Sequence, residues 1–91
     1  MKYFDWNKEK NQKLKKERGI SFEEVIITIQ EEKVIDIIGN PSKNFPNQQI
    51  YIIEINQYIY YVPFVEDEEK IFLKTIIPSR KAKKKYLKNN Y

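Results

Sequence analysis

The stretch Gly19-Ile20-Ser21-Phe22-Glu23-Glu24-Val25-Ile26-Ile27-Thr28-Ile29-Gln30, with Val34-Ile35-Asp36-Ile37-Ile38 soon after it, decides the fold class. Ser21 stands three residues before Glu24, the spacing at which a hydroxyl caps the first helical turn while a glutamate reaches back to the cap. Ile20 and Val25 occupy the staple positions on either side of it. Phe22, Val25, Ile26 and Ile29 then recur at helical spacing, so this helix should lay them on a sheet. From Val34 the pattern shortens into β runs, with Asp36 a polar tooth in the first of them. A helix feeding directly into strands points to an α+β domain.

Working outward toward the N-terminus, residues 2–6 alternate as a short first strand, with Phe4 and Trp6 nearer the core. Residues 7–18 are rich in Lys, Glu and Gln, good helix formers, and Leu14 is nearly their only apolar anchor. That helix should lie on the surface and stop at Gly19 in the left-handed conformation. Toward the C-terminus, Gly39-Asn40-Pro41 opens a loop lasting to Pro46-Asn47. Residues 50–55 and 58–65 form strands joined by a tight turn at Asn56-Gln57. Pro63 lacks an N–H and marks an edge or a bulge. An acidic turn over residues 66–69 leads to a strand over 71–77, ended by Pro78-Ser79. Ser79 caps a last helix over about 80–87, which offers only Ala82, Tyr86 and Leu87 to the core, and residues 89–91 should fray. The expected order is β-α-α-β-β-β-β-α: a two-layer domain with a mostly antiparallel meander and helices packed on one side.

Ninety-one residues fit one domain, and a domain so small favours an open groove or surface patch over an enclosed cavity. The chain has neither cysteine nor histidine, so disulfides and every Cys–His or Ser–His–Asp mechanism are excluded. A zinc site would need carboxylates alone, so no metal and no cofactor are expected. Neither a membrane span nor the apolar core of a signal peptide is present in the sequence, and a cytoplasmic, membrane-free protein is expected. Net charge is +4, from 17 basic and 13 acidic residues, but its distribution is uneven. Residues 8–18 carry six cations against two acids, and residues 80–91 carry six cations and no acid. A chain so polarised suits a polyanionic partner on one face.

Phe4-Asp5-Trp6-Asn7, Lys10-Asn11 and Glu17-Arg18-Gly19-Ile20-Ser21-Phe22-Glu23-Glu24-Val25 together resemble the opening of BrnT family toxins. Phe72 to Thr75 and Ile76-Ile77-Pro78-Ser79-Arg80-Lys81-Ala82 resemble that family's last strand-to-helix junction, so the likeness spans nearly the whole chain. Two departures stand out. Arg18-Gly19 replaces a His-Gly pair, and Gln48-Gln49 stands where the family carries Glu-Arg. The resemblance implies a RelE-like fold and the toxin role in a type II toxin–antitoxin pair. It also implies ribonuclease activity on messenger RNA, and silencing by a cognate ribbon-helix-helix antitoxin in a hetero-oligomer that alone contacts operator DNA. An apolar surface left for that partner should make the free chain less soluble than the complex. A catalytically weak member that pairs with the antitoxin and tunes its DNA binding is the alternative, favoured by the absent Glu-Arg pair.

Metal-free RNA cleavage requires an activated 2′-hydroxyl, a stabilised pentacovalent phosphate and a proton for the leaving oxygen. Arg80, at a strand-to-helix junction, is the candidate phosphate clamp, because its planar fork holds two oxygens. Lys74 and Lys81 are candidates for charge stabilisation or proton transfer, and Tyr86 for proton donation. Lys83, Lys84, Lys85, Arg18 and Tyr60 are the candidate RNA contacts, with Tyr61 a neighbour able to stack a base. Each has a plainer role too: Arg80 and Lys81 solvating a helix start, Tyr86 packing the helix, the tyrosines filling strand positions, the lysines facing water.

Overall fold

A computed structural model describes residues 2–39 and 48–87 of the chain. The elements run β1 (Tyr3–Trp6), α1 (Lys8–Arg18), α2 (Phe22–Gln30), β2 (Val34–Gly39), β3 (Gln48–Ile55), β4 (Tyr58–Glu66), β5 (Lys70–Leu73), β6 (Ile77–Pro78) and α3 (Arg80–Leu87). The loop expected between residues 40 and 47 and the fraying expected at 89–91 lie outside the described residues; Gly39 itself closes β2.

The helices form where the residues asked for them. Asn7 caps α1 by accepting the Lys10 N–H at 3.0 Å, and Gly19 ends it at φ 67°, a left-handed conformation that needs no Cβ. Ser21 caps α2 through the Glu24 N–H at 3.2 Å. The return half of that box does not form: one carboxylate oxygen of Glu24 lies buried without a partner. Asn11 joins the two helices. It is buried, its side-chain carbonyl accepts the Phe22 N–H at 2.8 Å, and its amide donates to Glu23 at 2.7 Å.

The sheet is a six-stranded surface in the order β1-β5-β4-β3-β2, with β6 also on β4. The two helices carry the chain from β1 across to the far edge, and the antiparallel meander β2 to β5 then walks back to meet β1 in parallel. The β3–β4 hairpin turns on Asn56 and Gln57 at φ 54° and 63°, the left-handed pair of a two-residue turn that matches strand twist.

The structure corrects two sequence expectations. The single last strand over 71–77 is instead β5 and β6, separated by residues 74–76 and laid along different halves of β4. Pro63 explains the interruption. Its carbonyl accepts the Lys74 N–H at 2.8 Å, so its donorless nitrogen faces the same side, where no regular ladder could continue. The helices also do not share one side. Leu14, Phe22 and Val25 pack with Tyr51, Ile53, Val62 and Phe64 on one face, whereas Ala82 and Leu87 of α3 pack with Ile52 and Ile59 on the other. The domain therefore has α1–α2, sheet and α3 as three layers. Apolar residues at every position from Ile50 to Ile53 make this arrangement necessary, because successive strand residues point to opposite faces. Among the described residues, no helix is long and apolar enough to cross a membrane.

Candidate nucleic-acid interface

Three cationic features gather around the segment that runs from β5 through β6 into α3. The first is α3 itself. Ser79 caps it by accepting the Ala82 N–H at 3.1 Å, and Ala82, Tyr86 and Leu87 seat it on the sheet. Those anchors turn Arg80, Lys81, Lys84 and Lys85 outward, all exposed. None of them forms an ion pair among the described residues, so their charges are not neutralised internally. Lys85 lies over the Tyr86 ring at 5.2 Å from its centroid. Tyr86 is half-buried in the apolar cluster, which fits the packing role rather than the proton-donor role considered for it.

The second feature is a row of ring contacts running from Lys83 to Tyr60, which lies within the electrostatic reach of Arg18. The Lys83 ammonium sits 5.2 Å from the Tyr58 ring centroid, and Tyr58 meets Tyr60 with centroids 5.6 Å apart. Burial pushes the Tyr60 hydroxyl above the ordinary phenol value; Tyr58 and Glu24 push the same way, and Arg18 opposes them. Tyr60 therefore stays protonated at neutral pH and serves as a donor, not a base. Arg18 donates to the Ile76 carbonyl at 3.1 Å, which holds the α1 C-terminus against the β5–β6 link.

The third is an open groove of about 680 Å³ lined by Asn7, Glu9, Lys10, Lys13, Phe72, Lys74 and Thr75. A smaller hollow of about 190 Å³ continues it past Glu17 to Arg18, sharing Lys10, Lys13 and Thr75. Lys10, Lys13 and Lys74 make no ion pair among the described residues. The Lys74 and Lys70 ammonium groups lie 5.6 and 5.9 Å from the Phe72 ring centroid.

Of the residues singled out in the sequence, Lys83 is thus linked to Tyr60 through Tyr58, Arg18 acts on Tyr60 electrostatically, and Lys74 joins Arg18 through the groove. Arg80, Lys81, Lys84, Lys85 and Tyr86 stand apart on the α3 layer. Sequence reasoning passed over Lys10, Lys13, Phe72 and Thr75. The signal for Lys10 was present: Lys10, Leu14 and Arg18 are spaced four apart, so these cations flank the one buried apolar residue of α1 and border the core. Phe72 and Thr75 carried no such signal, because the break after β5 was not foreseen.

Among the described residues, no three carboxylates converge as a metal-ion cluster. The fold and this surface together define an α+β domain with a cationic, groove-bearing rim. No family model, no curated protein and no solved structure matches the chain.

Proposed function

We propose that this protein binds RNA through its cationic rim and acts as the toxin of a type II toxin–antitoxin pair, cutting messenger RNA without a metal. The observation that carries the RNA reading is the unneutralised array on α3, where apolar anchors on one side leave Arg80, Lys81, Lys84 and Lys85 exposed with no acid in the helix. Such an array supplies the sequence-independent share of binding to a phosphate backbone. The toxin identity rests on the BrnT resemblance, which adds a RelE-like fold, an antitoxin partner and a cytoplasmic setting to the proposal. The test is incubation of purified protein with single-stranded RNA in EDTA, with and without ribosomes. Cutting that is lost in Arg80→Ala is the expected result; intact RNA in both settings would sink the nuclease reading.

A second reading has a specific observation behind it. Tyr86 is held in an apolar cluster on the α3 layer, while Lys74 lies in the groove beside α1, so the residues considered for proton transfer do not converge. A binding module without catalysis, paired with an antitoxin, accounts for that separation. Expression without growth arrest, together with RNA binding and co-purification of the neighbouring gene's product, would identify it.

A further inference from the structure

We infer that the groove between α1 and the β5–β6 link seats an unpaired nucleotide of an RNA strand, the phosphates on either side of it on Lys10, Lys13 and Lys74 and its base directed at Phe72. This rests on the RNA reading above and adds where the strand is held and in what form. The volume, about 680 Å³, lies in the range of ligand-sized pockets. Three lysines project into it without carboxylate partners, and the Thr75 hydroxyl adds a neutral donor. Such a set recognises a phosphate, and Phe72 supplies the π-face that unpaired bases stack on. Glu9 in the larger hollow and Glu17 in the smaller one border the cations. They disfavour a polyanion lying flat over the whole of α1 and leave the groove as its favourable entry.

The polymer form follows from what adjoins the groove. The smaller hollow ends at Arg18, whose guanidinium is fixed on the Ile76 carbonyl, midway along the link from Lys74 to Arg80. Six residue steps separate Lys74 from Arg80, an extended reach of about 20 Å at most. Among the described residues no strand pairs with the outer side of β6, so a phosphate chain leaving the groove can follow that margin past Arg18 to α3. A duplex could lie on α3, but its bases could not reach Phe72.

The test is fluorescence anisotropy with a short labelled single-stranded RNA in EDTA, run beside a duplex of the same sequence and beside adenosine monophosphate as competitor. The double variant Lys10→Glu/Lys13→Glu should weaken single-strand binding by at least about tenfold, and Phe72→Leu by about fivefold or more. Phe72→Leu should leave duplex binding unchanged, and the mononucleotide should compete poorly. The lysines are exposed, so their reversal tests the groove whatever Phe72→Leu does to folding. Photocrosslinking of 4-thiouridine RNA to the unaltered protein supplies a second readout, expected at α1 and the 72–75 segment. Groove variants within about twofold of the parent, with binding lost only in Lys81→Glu/Lys84→Glu, would overturn the groove and leave the RNA reading intact. Tight displacement by the mononucleotide would instead make it a small-ligand site. Absence of RNA binding in every protein, the parent included, would end both.

Discussion

Asn11 shows how far one side chain can matter in so small a fold. Its carbonyl oxygen satisfies the Phe22 N–H at the start of α2, and its amide reaches Glu23, so both ends of a buried side chain are used across the α1–α2 joint. Asn11→Ala leaves the Phe22 N–H without its partner and should lower unfolding free energy by about 2–4 kcal/mol in urea titrations. The same contact governs a pH effect. The Asn11 amide first, then the residue's own backbone N–H, hold the Glu23 carboxyl below its ordinary value; burial opposes them, and the Lys15 ammonium lowers it further. A lowered folded value means the contribution is complete above the ordinary glutamate value and is lost as pH falls through the lowered one. The stability difference between the parent and Glu23→Gln should stay level from neutral pH to about pH 5 and narrow below it. In the sequence Asn11 was visible only as part of a family-like motif. Nothing in the spacing showed that a polar residue beside Leu14 would be buried, because its partners come from the next helix.

At the scale of elements, the legible parts were those with local punctuation. Ser21 and Gly19 bounded the helices, and Asn56-Gln57 marked the hairpin, because caps and tight turns are decided by neighbours in the chain. The same turn offers a test. Gln57 holds φ 63°, a conformation that costs a residue with a Cβ about 1–2 kcal/mol, so Gln57→Gly should raise stability by about 0.5–1 kcal/mol, read as a higher urea midpoint. The β5–β6 break was not legible, since Ile71 to Ile77 reads as one β-prone run despite Lys74 and Thr75, and its interruption is imposed by Pro63 from a neighbouring strand. The placement of α3 was equally hidden: three anchors state that the helix packs, but not on which face. Packing also sets the expectation for Tyr86→Phe. The ring stays in its cluster, so both stability and any RNA cutting should be close to those of the parent; a fall of orders of magnitude in cutting would restore Tyr86 as a proton donor.

For the whole molecule, charge and edges pull in different directions. The β1 edge is guarded by the Lys2–Glu66 and Lys70–Asp5 pairs, whereas the β2 edge, among the described residues, exposes Ile35 at 38% and Ile37 at 49% beside the bulge between Val34 and Asp36. Ile37→Lys should therefore reduce concentration-dependent association in sedimentation while changing stability little. The cationic rim opposes association through self-repulsion, and its effect on RNA is measurable separately. If a single strand engages the groove lysines, Arg18 and the start of α3 together, about four to six phosphates are neutralised, and each displaced counterion adds to the salt dependence. The logarithm of affinity should then fall against the logarithm of salt with a slope of about −3 to −4. Lys10→Glu/Lys13→Glu should make that slope shallower by about 1 to 1.5 as well as weakening binding, because two phosphate contacts go. Phe72→Leu should weaken binding with the slope intact, since stacking releases no counterions. A slope unchanged by the lysine reversals would mean that the strand never enters the groove, however tightly α3 holds it.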